Sequence, residues 1–220
     1  MKPQCSSSNL MFCAPVRAIR TYAGSGHSKA IRRYRITFFS GAILALAAAS
    51  AHGEERFHVD AAASEIRFEL GATGHAVEGT FHGASGDFTL IPQSGAMTGV
   101  VTVDATTGQS DNKSRDKKMT NDQLKAQTFP TVSFSPTKFS GQVKDSGDSS
   151  GQVDGTFTLL GQGHPISVPM TVHMEGDHFT ASGSFQVPYV SWGVKDPSII
   201  FLKVAKDVKI SVKLSGTVAK

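Results

Sequence analysis

Cysteine is absent from everything beyond position 13: Cys5 and Cys13 are the only two in the 220-residue chain. The rest of the protein therefore has no disulfide, no thiol nucleophile and no thiolate metal ligand. Acidic residues are missing from the same end, since positions 1–35 hold Lys2, Arg17, Arg20, Lys29, Arg32, Arg33 and Arg35 but no Asp or Glu. The apolar run from Ile36 to Ala49 has 14 residues, which falls short of the roughly 18–20 that a membrane-spanning helix needs. No HExxH or His-x-His spacing occurs among His52, His58, His75, His82, His164, His173 and His178, so no metal-hydrolase signature is present.

The basic start, the short apolar run and the small-residue site Ala49-Ser50-Ala51 have the order of a secretory signal. Residues 1–51 are read as a cleaved signal peptide and residues 52–220 as one mature domain, periplasmic or secreted after cleavage near Ala51. The formal charge of the whole chain is +4, but the leader carries 7 of the 22 basic residues and none of the 18 acidic ones, leaving 15 − 18 = −3. Nucleic acid is not an expected partner.

Within residues 52–220 the hydrophobic period is close to two, the mark of strands with one buried face. In "VKISVKLSGTV" Val208, Ile210, Val212, Leu214 and Val218 alternate with Lys209, Ser211, Lys213, Ser215 and Thr217. In "HPISVPMTVHME" Ile166, Val168, Met170, Val172 and Met174 alternate with polar residues, and Pro169 is expected to face out near an edge or bulge. Further strands are expected at 65–70, 76–81, 87–91, 97–104, 131–139, 152–160 and 178–187. "KDSGDSSGQ" reads as a long polar hairpin tip. Mostly local turns, with Gly79, Gly99, Gly155, Gly183 and Gly216 inside strands, favour a closed up-and-down barrel over a sandwich. An interior of about eight strands is either filled by side chains or holds one small ligand. Periodicity alone does not separate these two outcomes.

"RFHVDAAASEIRFEL", "VEGTFHGASGDFTL", "SRDKKMTNDQLKAQTFPTVSFSPT", "GTFTLLGQGHPISVPMTV" and "YVSWGVKDP", in that order, resemble the YceI family of secreted proteins. The most specific parts are Arg115-Asp116 ahead of Phe129-Pro130-Thr131, and Thr158-Leu159 followed by Gly161, Pro165 and Ile166. The resemblance implies an all-β fold, an antiparallel eight-stranded lipocalin-like barrel with short helical lid segments, whose apolar interior holds an isoprenoid chain. It implies no cofactor beyond that bound isoprenoid lipid, and no reaction. The chain departs from the family pattern at Leu160-Gly161-Gln162-Gly163, and at Leu124 and Gln127.

The charged segment from Asp111 to Gln127 reads as a lid. Asp111 is expected to cap a helix through Met119, and Thr120 with Gln123 has the spacing of a capping box for a second turn. Phe129-Pro130 is expected to end the helical segment. Met119 and Leu124 give it one narrow apolar contact. Wall candidates for the ligand site are Phe68, Phe81, Phe134, Phe157, Met170, Phe179, Phe185 and Trp192, with Trp192 as either a plug or a stacking surface. The expected partner is an amphiphilic isoprenoid lipid, or its quinone derivative. Transient contact with a membrane surface and a homodimer are left open. The alternatives are a ligand-free structural or stress-protective domain, and an enzyme using His82 and Asp87 brought together across a turn.

Overall fold

The computed structural model describes residues 53–220. The expected leader, its cleavage site and His52 lie outside the described residues.

Eleven strands follow one another: β1 (Glu55–Val59), β2 (Glu65–Ala72), β3 (His75–Phe81), β4 (Ser85–Ile91), β5 (Ala96–Asp104), β6 (Gln109–Ser110), β7 (Thr131–Gly141), β8 (Gly147–Leu159), β9 (Gln162–Glu175), β10 (His178–Val187) and β11 (Val208–Ala219). They make eight walls, because three walls are each broken in two. One edge of β11 pairs first with β2, Lys213 opposite Glu65, and then with β1, Gly216 opposite Val59. Next to them, β4 pairs with β1 and β3 with β2. β5 in turn pairs with β4, and β6 with β3. From β7 to β11 each strand pairs with the next, and the β1–β11 ladder closes the ring. The result is a closed, eight-walled antiparallel barrel.

Alternation explains the walls. In β9, Val168 and Met174 are buried and Met170 and Val172 half-buried, while Ser167, Pro169, Thr171 and His173 are exposed. Pro169 sits beside Met170–Gly183, where the β9–β10 pairing stops, so its missing N–H is not needed by a ladder. A second device recurs around the ring. Phe68 lies opposite Gly79, Phe88 opposite Gly99, Met170 opposite Gly183 and Phe179 opposite Gly216. Each large inward side chain lies across a neighbouring wall position that has no Cβ. A Cβ at Gly79 would overlap the Phe68 ring, and one at Gly183 the Met170 sulfur.

The meander fixes two ends. The turns after β4, β7 and β9 and both ends of the described chain lie at the floor. The β2–β3 and β8–β9 hairpins, residues 105–130 and residues 188–207 lie at the opposite end. Near the floor, Phe57, Val59, Leu90, Met97, Val101, Phe139, Val153, Met174, Phe179, Ala181 and Val218 form a packed core. A smaller cluster of Leu159, Val187, Tyr189 and Val194 lies toward the other end.

Several local expectations are corrected. Asn112, not Asp111, caps α1 (Lys113–Lys118): its side chain accepts from the Ser114 and Arg115 N–H groups at 3.0 Å each. Asp111 instead pairs with the Arg115 guanidinium. The Thr120–Gln123 capping box does not form, because the chain never leaves the helix there; α1 runs directly into a π-helical turn at Met119–Gln123. That turn ends at Gln123, well before Phe129-Pro130; just past its Leu124 cap, Lys125 takes a left-handed φ of 49°, and Phe129 N–H donates to the Lys125 carbonyl at 2.9 Å. The polar stretch read as a hairpin tip is strand from Gly147 onward. Its inward Ser149 is buried and accepts from Lys144 N–H at 2.9 Å, a contact that composition does not reveal. Strand β1, absent from the expected strands, is only five residues long, too short to show a hydrophobic period.

Gly79→Ala is expected to lower stability by roughly 1–3 kcal/mol through overlap with the Gln109 carbonyl oxygen and the Phe68 ring. Gly71→Ala should stay within about 0.5 kcal/mol, since the nearest atom to a new Cβ there is Ala205 Cβ at an ordinary 3.6 Å. Urea unfolding of the two variants compares them; equal losses would mean that the glycine–aromatic pairing has no steric basis.

Candidate functional site

Many inward side chains above the floor are not buried. Phe81, Phe134, Phe157, Met170, Phe185, Ile210, Val212 and Leu214 are each half-exposed, although they point into the barrel. They border a cavity of about 720 Å³, within the range of roughly 300–1,000 Å³ usual for small-ligand sites. Its floor is aromatic. Phe57 stacks on Phe88 with ring centroids 4.9 Å apart, and Phe179 meets Phe57 edge-on at 5.2 Å.

Polar groups collect at the other end. Asn112, Ser114, Arg115, Lys118 and Gln123 from the helical segment border the cavity there, with His75 from the β2–β3 hairpin. Sequence reasoning did not name these as ligand residues; the Asn-x-Ser-Arg spacing that places them is the N-cap and first turn of α1. The helix is held to β6 by Asp116, whose Oδ1 accepts from Ser110 N–H at 2.8 Å and Ser110 Oγ–H at 2.6 Å. Arg115 Nε donates to the same Ser110 Oγ at 3.1 Å. Arg115-Asp116 is thus the hinge pin of the helix. Gln123 Oε1 is buried with no donor among the described residues.

A strap formed by residues 188–207 completes the rim with Tyr189, Val194, Pro197, Leu202 and Val204. It was not assigned from sequence, because "PSIIFLKV" is apolar without a period. Thr73 N–H donates to the Lys203 carbonyl at 2.9 Å and Ala205 N–H to the Gly71 carbonyl at 2.8 Å, which ties the strap to β2 and its hairpin. Tyr189 Oη–H donates to the Ala205 carbonyl at 2.6 Å.

Of the wall and lid candidates, Phe68, Phe81, Met119, Leu124, Phe134, Phe157, Met170, Phe179 and Phe185 border the cavity. Met119 lies over Gly108, where a Cβ would meet its Cε at 2.5 Å and the Phe81 ring at 2.7 Å. Trp192 does not border the cavity. It lies flat on His164, centroids 4.1 Å apart and planes 3° from parallel, and meets Phe157 at 5.9 Å. The polar pairings expected for an enzyme are also redrawn. Asp87 lies 2.7 Å from His58 Nδ1 across the β1–β4 ladder, not near His82; His82 meets Thr80 and Thr107. Gly147-Asp148-Ser149-Ser150-Gly151 spells a GxSxG, but it runs along β8 and is no strand–turn–helix elbow. Ser149 points inward while His173 pairs with Asp148 on the outside at 2.7 Å. Among the described residues no group of three or more His, Cys, Asp or Glu side chains is placed to hold a metal ion.

A closed antiparallel barrel with an apolar chamber and one polar mouth is the architecture of lipocalin-like binding proteins. The family model described as the YceI-like domain matches residues 57–216, and the chain belongs to that family. Solved structures with the same fold include BcnA of Burkholderia cenocepacia, 24% identical over 72% of this chain and 99% of that one, with a TM-score of 0.60. A polyisoprenoid binding domain from Saccharophagus degradans, implicated in plant cell wall breakdown, is 13% identical over 74% of this chain and 98% of that one, with a TM-score of 0.60. The YceI protein of Campylobacter jejuni is 17% identical over 63% of this chain and 83% of that one, with a TM-score of 0.51. No curated protein matches the chain by sequence.

Burial, and after it the Asp196 and Asp207 carboxylates, pushes the Tyr189 phenol from 10.0 up to about 12. The folded state favours the neutral phenol, so this contribution to stability is complete below pH 10.0 and is lost as pH rises toward about 12. Tyr189→Phe should cost about 1 kcal/mol at neutral pH through the lost hydrogen bond and should remove that alkaline dependence. Thermal melts of parent and variant across this window test it; parallel curves would exclude Tyr189 as their source.

Proposed function

We propose that the protein is an exported carrier that holds a polyisoprenoid, or an isoprenoid quinone, inside the barrel. The observation that carries this reading is the asymmetry of the chamber. Its floor and walls are almost wholly apolar, and its charged and amide groups stand together at the mouth. That gradient fits a long hydrocarbon chain with a small polar head. The buried Gln123 Oε1 offers an acceptor to a hydroxyl on such a head. The polyisoprenoid-binding domain of the same fold supports the choice of an isoprenoid chain, and the leader pattern at 1–51 supports a periplasmic or secreted location. Binding is by shape and hydrophobicity, and the reading assigns no reaction.

Retention should be strong. At about 0.8 kcal/mol per buried CH₂, a chain of about 25 carbons nominally gains about 20 kcal/mol, near the practical ceiling for non-covalent affinity. Ordering the flexible chain and incomplete burial offset part of that gain. Lipid should survive aqueous purification and appear in a solvent extract by mass spectrometry.

Phe134→Ala and Phe157→Ala test whether the interior is a pocket or a packed core. In a packed core each would cost about 3–5 kcal/mol. Because both rings already face open chamber, delipidated protein should lose less than about 2 kcal/mol, while affinity for a fluorescent isoprenoid analogue falls by roughly tenfold or more. Large destabilisation of delipidated protein, with no extractable lipid in the parent, would replace the carrier reading with that of a structural domain.

The helical segment is the expected gate. Met119→Ser with Leu124→Ser should speed exchange of the analogue more than it lowers the urea midpoint, because a short helix with few buried contacts opens at low free energy. Unchanged off-rates would remove the gate from the proposal.

A further inference from the structure

The largest exposed apolar side chains of the described residues are consecutive. Ile199, Ile200 and Phe201 are 64%, 83% and 90% exposed, at the tip of the strap that borders the mouth. Such exposure of adjacent large side chains is uncommon on a soluble surface and marks an interaction site. The tip is built. Ile199 N–H donates to the Leu202 carbonyl at 2.9 Å and Leu202 N–H to the Ile199 carbonyl at 3.1 Å, a tight turn that pushes Ile200 and Phe201 outward. Lys203 N–H then donates to Thr73 Oγ1 at 3.0 Å, fixing the turn on the β2–β3 hairpin. Leu202, at its base, borders the cavity.

Charge is distributed to match. The two mouth segments, 111–125 and 195–207, hold Lys113, Arg115, Lys117, Lys118, Lys125, Lys195, Lys203 and Lys206 against Asp111, Asp116, Asp122, Asp196 and Asp207, which gives 8 − 5 = +3. The rest of residues 53–220 has 7 basic and 13 acidic residues, or −6. The mouth is the positive end of a negative molecule, and a negatively charged surface turns it inward. One aliphatic and one aromatic side chain flanked by lysines suit the headgroup boundary of an anionic bilayer. They are too small a patch for a stable protein dimer, which buries about 1,200 Å² or more.

We propose that Ile200 and Phe201 insert into the interface of an anionic bilayer and seat the chamber mouth on it, so that lipid passes between membrane and barrel without crossing water. The passage rests on the carrier reading, whereas the docking is measured separately from it. The test is flotation with vesicles of phosphatidylglycerol and phosphatidylcholine, against phosphatidylcholine alone, for the protein expressed with its own N-terminal segment. The parent should float with the anionic vesicles, and less so at high salt. Ile200→Ser with Phe201→Ser should weaken flotation by about tenfold or more while leaving the melting temperature unchanged. Equal flotation of parent and variant, or none by the parent, would overturn the docking. So would a concentration-dependent dimer in sedimentation that the same two substitutions dissolve, since the tip would then be a protein contact. Tip-dependent flotation of a protein that yields no lipid would leave the docking in place and defeat the carrier reading.

Discussion

Closure of the barrel depends on β11, one edge of which must pair with two strands in succession. β2 takes Lys209 to Lys213 and β1 takes Gly216 to Ala219. Between them the chain swings out at residues 60–64, and the ladder groups of Ser215 are not left bare: Asp60 N–H donates to the Ser215 carbonyl at 2.8 Å, and Ser215 N–H donates to Ser64 Oγ at 3.0 Å. Ser64 is one of few buried polar residues for this reason. Unpaired backbone groups at that depth would be costly, so the detour is a substitute for two ladder bonds. Without it, β1 would lose either β11 or its alignment with β4, and the ring would open at its floor.

The floor can then be filled and the upper chamber cannot. Phe57, Phe88 and Phe179 close the lower end as a mutually packed trio, Phe88 reaching across Gly99 and Phe179 across Gly216. Eight walls enclose more space than the remaining side chains occupy. Such a void is tolerated where apolar lining stays dry or takes an apolar guest. Stability and function are divided along the barrel axis: the floor contributes the dense core, and the upper half gives up packing for volume.

Alternation made most walls legible in the sequence, because Val168 to Met174 and Val208 to Val218 admit only one register of inside and outside. The resemblance carried by Arg115-Asp116 and Phe129-Pro130 then pointed to a hollow interior, which periodicity alone does not. What escaped was set by tertiary contacts. β1 is too short to show a period and is a strand because β4 and β11 flank it. The choice of Asn112 over Asp111 as cap depends on Asp111 being taken by Arg115. The strap, with Tyr189 and Leu202, has no period to read, since it is held by a few bonds to Gly71 and Thr73 and an isolated Ala72–Val204 bridge, and not by an extended ladder. Trp192 drew notice as the sole tryptophan, yet it packs on His164 outside the cavity lining.

The same division shows where the wall can yield. Along β8–β9 the pairing runs unbroken from Gly147–Met174 to Leu159–Gln162, so parting those strands would break many bonds together. On the opposite side β3 has a strand neighbour beyond β2 only at Gly79 and Thr80, supplied by the two-residue β6. Above that level the chamber is bordered by His75 and Val77 and by the side chains of α1 and its π-helical turn. Helix against strand is joined by side chains and not by a ladder. The Ser110–Asp116–Arg115 cluster anchors the beginning of the helix, while its far end, at Met119 and Leu124, is held by half-buried apolar contacts. A rotation about the anchored end would open the chamber beside the strap and its apolar tip without disturbing the floor or the ring. The breaks in three adjacent walls therefore let a hydrogen-bonded barrel stay closed at its floor while part of its upper rim is held by side-chain contacts alone.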